Sequence, residues 1–266
     1  MFINNINPIL LSIGPLSVRY YGIVYAIGFI LAYVFLRLGI KKGALKFTED
    51  QLDKYFIWLI VVTVFMARFF EVFIYNAPYY FSHVSEMIRI WDGGMSFHGG
   101  LVGAFVITYI FCRKYHANIY DILDILVIPG SIALFLGRIA NYTNSELYGT
   151  ITNPTATPWC VVFAKVDNYC RHPTQLYESL QMLVMSIGLF AYKQYSEKRK
   201  KYKKGTLFWL FVLFYGILRF FITFLREEQT YFGLNPGQWL CILMVIIAGI
   251  FLYRIHMKTP HKSKSI

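Results

Sequence analysis

The chain has 266 residues, of which 57% are hydrophobic, 19% aromatic and only 15% charged. That composition is that of an integral membrane protein and excludes an ordinary soluble domain. The net charge of +12 does not point to nucleic acid, because the basic residues stand in short clusters between apolar runs and not along one amphipathic face.

In chain order, the N-terminal MFINNINPILL carries no basic region and no small-residue cleavage site, so the first span is read as permanent and not as a signal peptide. Seven stretches are long enough to cross about 30 Å of hydrocarbon as helices: 18–38, 55–75, 95–112, 121–140, 175–194, 206–225 and 237–256. The fold class expected is an all-α integral membrane protein, one transmembrane catalytic domain over 1–266, with a small cap over 141–174. NPTATPW in that connection breaks helix, and the alternation around Cys160 to Val166 calls for some strand. Cys160 and Cys170 share this loop, and the sequence leaves their pairing open; Cys112 and Cys241 lie in or at the ends of apolar runs and read as core.

Lysine and arginine assign the sides. Eighteen of them fall on one set of connections (37–54, 113–114, 193–204 and the tail) and four on the other. Short cytoplasmic loops retain basic residues, so the N-terminus is outside and the C-terminus cytoplasmic. The run SEKRKKYKK reads as an anchor on the cytoplasmic side.

This topology sets the depth of the polar residues. Arg138, Asn141, Asn144 and Glu146 follow a long apolar run in GRIANYTNSELYG (137–149). Tyr21, Arg68, His98, Tyr177, Glu178 and Arg219 come out at the same outer level, given 1.5 Å of rise per helical residue. Ionisable groups within spans are costly and mark functional sites. A transporter would place them near the midplane, on interrupted helices in repeated halves. Three intramembrane arginines with no matching acids call for an anionic ligand, and phosphate suits the guanidinium fork. Blander readings stand beside this one: arginines snorkelling to the interface, Asn141, Asn144 and Glu146 as a helix end and turn, Gly99 and Gly103 as a close-packing GxxxG face, and His172 as loop structure.

The segments WDGGMSFHGGLVG (91–103), GRIANYTNSELYG (137–149), RHPTQLYE (171–178) and YGILRFF (215–221), with SIGPLSVRYYGIVYAIGF near the start, closely resemble the bacterial prolipoprotein diacylglyceryl transferases. The second segment matches that family's signature, GR-x-x-N-x-x-N-x-E-x-x-G. The resemblance implies a seven-helix enzyme of the bacterial inner membrane whose site faces the outer leaflet. It would move the diacylglyceryl group of phosphatidylglycerol, a membrane lipid, onto the lipobox cysteine of a preprolipoprotein, forming a thioether and releasing glycerol phosphate. No cofactor, metal or nucleic acid is implied. By position, Tyr21, Asn141 and Gly149 match residues regarded as essential, Arg138, Glu146 and Arg219 others regarded as important, and His98 the histidine of the HGG motif. Two departures stand out. Thr223 occupies the position of a family glutamate one turn after Arg219, so that pairing is lost unless Glu227 or Glu228 substitutes. Met66 and Ala67 precede Arg68 where the family mostly has glycine. Restoring glutamate at 223 is expected to leave activity unaltered or raise it.

The implied chemistry needs a thiolate and stabilisation of a departing phosphate. His98 is the candidate base, with Glu146 second; Arg138 and Arg219 clamp the phosphate; Asn141 and Tyr21 donate hydrogen bonds. Arg68, Asn144, Gly99, Gly100, Gly149 and Tyr177 complete the binding set. The alternatives are a transporter or scramblase for anionic phospholipids, a scaffold held together by its polar cluster, and a diverged paralogue of low activity.

Overall fold

The computed structural model describes residues 2–13 and 16–257; the basic tail counted above, Lys258, Lys262 and Lys264, lies outside the described residues. The fold is mostly helical, with α1 (Tyr20–Lys41), α2 (Glu49–Phe70), α3 (Ala77–Ser82), α4 (Phe97–Lys114), α5 (Ile119–Thr143), α6 (Thr174–Lys198), α7 (Thr206–Thr223) and α8 (Pro236–Met257). Helices thus occupy all seven expected positions. Five of them are long and apolar enough to cross a membrane: α1, α2 with its extension to Tyr75, α5, α7 and α8. The other two expected spans fall in α4 and α6. In α6 the shortfall has a plain cause, since its inward face carries Gln175, Glu178, Ser179, Gln181 and Ser186. Little of α1 or α8 is buried within the protein, and side chains such as Ile30, Leu243, Ile246 and Tyr253 face outward, as lipid-facing helices require.

The chain forms two compact units, Met1–Ala32 with Leu123–Ile266, and Tyr33–Ile122. In the second, α2 opens on a capping box. Thr48 Oγ1 accepts from Gln51 N at 3.2 Å while Gln51 Oε1 accepts from Thr48 N at 3.1 Å. Its C-terminal end widens into a π turn, Glu71–Tyr75, and Pro78 then starts α3. Ser96 caps α4 by accepting from Gly99 N at 3.1 Å. Helix α4 lies against α2 because its small residues allow it. A methyl on Gly103 would stand 2.8 Å from the Val62 carbonyl, and one on Gly99 would strike the Met66 carbonyl and Phe70. Tyr55 and Thr108 share a buried hydrogen bond of 2.8 Å across the pair.

In the first unit, α7 packs on α8 at Gly216, where an added methyl would meet Val245 at 3.0 Å and the Cys241 carbonyl at 3.1 Å, and Trp209 stacks on Phe251 at 4.3 Å. Gly205, left-handed at φ +86°, begins α7 with no side-chain cap of its own. Asp124 of α5 supplies one instead, accepting from Gly205 N at 2.6 Å, Phe208 N at 2.9 Å and the Tyr202 hydroxyl at 2.5 Å.

The strand expected around Cys160 to Val166 is present at Val161–Phe163, and further strands that the sequence did not announce frame the N-terminus. β1 (Phe2–Asn4), β4 (Val161–Phe163) and β5 (Cys170–Arg171) form a sheet in the order β1-β4-β5, the first pair parallel and the second antiparallel. β2 (Ile9–Ile13) and β3 (Leu16–Arg19) pair as an antiparallel hairpin, so the first span begins at Tyr20 and not at 18. Cys160 and Cys170 are disulfide-bonded, with Cα atoms 5.5 Å apart.

Candidate active site

Three helices of the first unit bring charge together. Glu178, one turn into α6 and 4% exposed, binds Arg138 of α5 through Oε2, 2.7 Å from its Nε. It binds Arg219 of α7 through Oε1. Arg226, just beyond α7, places Nη1 3.6 Å from that same oxygen and Nε 3.1 Å from Glu228. Three guanidinium groups are thus paired directly with two carboxylates. Burial, reinforced by the charge of Arg219, lowers the pKa of Arg226. Arg138, Glu178 and Arg219 line one pocket with Leu134, Gln181, Met182 and Tyr215.

From Arg138 a second set of contacts runs outward. Its Nη1 donates to Asn141 Oδ1 at 3.2 Å, one turn along the same face of α5. Asn141 Nδ2 in turn contacts the Tyr21 hydroxyl of α1 and donates to Glu146 Oε1 at 2.8 Å. Asn144 Nδ2 reaches the same oxygen at 3.3 Å, while its own Oδ1 is buried with no hydrogen bond. The turn that presents Glu146 is strained, with Ser145 at φ +56° and Leu147 at φ +58°, a region costing non-glycine residues about 1–2 kcal/mol each.

Neighbouring segments hold this turn in place. Gln175 Nε2 donates to the Glu146 carbonyl at 2.7 Å and Thr174 Oγ1 to the Leu147 carbonyl at 2.9 Å. Gly149 N donates to the His172 carbonyl at 2.8 Å, and Thr150 N to the Leu225 carbonyl at 2.7 Å. A side chain on Gly149 would stand 2.5 Å from the Leu225 carbonyl and 2.8 Å from both His172 and Thr174. Gly149 is therefore where three segments converge. Tyr177 accepts from Trp159 Nε1 at 2.7 Å and lies 3.3 Å from His172 Nδ1, tying α6 to the loop above it. Burial lowers the pKa of His172, and Arg171 holds the Asp167 carboxyl below its usual range through an ion pair of 2.6 Å.

The remaining expected residues lie in the second unit. Arg68 is buried, and its guanidinium donates to the carbonyls of Glu86, Met87, Gly93 and Gly94 at 2.5–3.0 Å, with Tyr80 beneath it at 4.9 Å. Four of its five donors are thus spent on shaping the loop before α4. His98 is exposed in the first turn of α4, and its Nδ1 meets the Tyr75 hydroxyl at 3.0 Å. Gly99 and Gly100 are buried on the side of α4 that meets α2.

This arrangement, with its signature turn, has relatives. The family model described as prolipoprotein diacylglyceryl transferase matches residues 8–254. The chain belongs to that family. A phosphatidylglycerol–prolipoprotein diacylglyceryl transferase of Rickettsia africae is 36% identical over 259 residues, covering 96% of this chain and 98% of its own. Proteins of the same name from Ehrlichia ruminantium and Rickettsia canadensis are 37% and 34% identical over 263 residues, covering 94% and 97% of this chain and 97% and 100% of their own.

For a diacylglyceryl transferase, sequence reasoning left one central group unassigned. Glu178 is the acid that Arg219 shares with Arg138, so the carboxylate missing at 223 is not replaced from the loop by Glu227 or Glu228. Glu227 instead lies 3.5 Å from Arg171, and Glu228 pairs with Arg226. The signal was present in RHPTQLYE, an acid entering an apolar helix at the depth of two arginines. Arg226, one of the four basic residues on the less basic set of connections, joins the same cluster.

Proposed function

We propose that this chain transfers the diacylglyceryl group of phosphatidylglycerol to the lipobox cysteine of a preprolipoprotein. The observation that carries the reading is the convergence of Arg138 and Arg219 on one buried carboxylate in a shared pocket, next to the Tyr21–Asn141–Glu146 contacts. The thiol sulfur forms a bond to the glycerol carbon, the bond from that carbon to the phosphate oxygen breaks, and glycerol phosphate leaves with the electron pair. The thiol proton passes to a base.

Arg138 and Arg219 receive the phosphate. Their pairing with Glu178 holds both forks in place before substrate arrives, so the positive field is already oriented when charge gathers on the leaving oxygen. Asn141 and Tyr21 hold the polar rim. His98 is the proposed base: in the tautomer whose Nδ1–H donates to the Tyr75 hydroxyl, Nε2 is free to take the proton, whereas Glu146 Oε1 already accepts from two amides. Gly149, Thr174 and Gln175 act by holding the turn that carries Glu146.

In the same reading, seven helices, α1, α2 and α4 to α8, cross the bacterial cytoplasmic membrane. The N-terminus and 141–174 lie outside, the C-terminus is cytoplasmic, and the site faces the outer leaflet. Two observations support it. Disulfides persist in oxidising compartments, and the bond between Cys160 and Cys170 lies in the loop that the basic-residue asymmetry puts outside. Strand β1 pairs with β4, so the N-terminus shares that side.

The test is mass spectrometry of a lipobox peptide after incubation with purified protein and phosphatidylglycerol vesicles. A diacylglyceryl thioether on the cysteine is expected. Lipid movement between leaflets with no covalent product would overturn the proposal in favour of a scramblase.

A further inference from the structure

Gln181 lines the Arg138–Arg219 pocket with its amide oxygen unpaired. It is 8% exposed, it lines that pocket, and its Oε1 is buried without any hydrogen bond. Its Nε2 meets only the Met185 thioether at 4.0 Å, a weak acceptor. Buried side-chain amides are nearly always satisfied, and one that is not calls for an explanation such as an absent ligand. Gln181 follows Glu178 by three residues, so the two side chains share a face of α6 and stand about 4.5 Å apart along its axis.

A ligand whose anion sits at Arg138 and Arg219 therefore meets an amide about one helical turn away. The amide oxygen accepts, so the matching ligand group is a donor, and it belongs to a segment only a few bonds from the phosphate. An alcohol on the headgroup meets both conditions. We infer that Gln181 is a specificity-determining residue that accepts a hydrogen bond from a hydroxyl of the phospholipid headgroup. The inference rests on the proposed transfer from phosphatidylglycerol, and adds to it the atom that separates a hydroxylated headgroup from an equally charged one lacking hydroxyls.

The experiment compares initial rates of transfer to a lipobox peptide from phosphatidylglycerol and from phosphatidylpropanol, which has the same charge and headgroup length without the hydroxyls. The wild-type chain should prefer phosphatidylglycerol by about tenfold or more in kcat/KM, as expected when a buried acceptor is left unpaired. Gln181→Leu should raise the KM for phosphatidylglycerol more than it lowers kcat and bring the ratio of the two lipids close to one. Gln181→Met should do the same with a different packing volume. The ratio is taken within one preparation, so it does not depend on how much protein is folded. A wild-type ratio retained by both variants overturns the inference and leaves the transferase reading standing. No covalent product from either lipid with the wild-type chain overturns both.

Discussion

Glu178 Oε2 stands 2.7 Å from Arg138 Nε, a contact between α6 and α5 that leaves the carboxylate's other oxygen for Arg219 of α7. One acid thus sets the position of two guanidinium forks on two helices, the pair proposed to receive phosphate. Removing its charge while keeping its shape tests that role. Glu178→Gln should lower thermal stability in detergent by about 3–5 kcal/mol, the usual cost of leaving buried charges unpaired. It should also lower kcat at least tenfold without raising KM, since the freed arginines still attract phosphate. A raised KM with kcat intact would show that Glu178 does not organise the arginines for the transition state.

Thr223 is where structure reverses an expectation. Sequence comparison alone expects Thr223→Glu to be neutral or favourable. Yet Thr223 is 1% exposed and its hydroxyl donates to the Arg219 carbonyl at 2.7 Å, while Arg219 already has an acid. A glutamate there is overpacked and buries a further charge. Thr223→Glu should reduce both folded yield and transfer, and Thr223→Val should change transfer less than twofold. Wild-type or higher activity in Thr223→Glu would contradict this.

Gly149 is needed for close approach. Gly149→Ala should destabilise the protein by about 1–3 kcal/mol or more, because backbone and two side chains lie within 2.5–2.8 Å of the new methyl. The check is thermal unfolding alongside kinetics. An unchanged unfolding temperature with a raised KM would assign the glycine to substrate contact instead.

The disulfide closes a loop of ten residues' separation. Cys160→Ser with Cys170→Ser should cost about 3 kcal/mol on the chain-entropy view. It should also loosen β4 from β5, which hydrogen exchange of Val161 to Phe163 would report. Equal protection with and without the bridge would show that the sheet holds itself.

Much of this was legible in the chain because membrane helices are written in length and hydropathy, and all seven stretches expected to be helical are helical. The strands were harder to read. Phe2–Asn4 and Cys170–Arg171 are too short to show alternation, and they become strands only by pairing with Val161–Phe163. In the site, Arg138, Asn141 and Glu146 announce themselves by polarity at the end of an apolar run, and Tyr21 by matching depth. Which acid meets which arginine was not legible. Glu178 and Arg219 are 41 residues apart, and only the packing of α6 and α7 brings them together. Arg68 shows the converse: its depth and the lack of a matching acid read as a charge in need of an anion, but the loop carbonyls that satisfy it lie 18–26 residues further on.

The central claim is that Arg138 and Arg219 receive the phosphate that leaves, and Arg138 tests it most directly. Covalent transfer to a lipobox peptide should be measured by mass spectrometry for wild type, Arg138→Lys and Arg138→Ala, reconstituted with phosphatidylglycerol and matched for folded protein. Arg138→Ala should lose transfer by at least about 100-fold, the scale seen when one transition-state donor is removed. Arg138→Lys should recover little, since a point charge cannot reproduce the fork. Full transfer by Arg138→Ala would contradict the account.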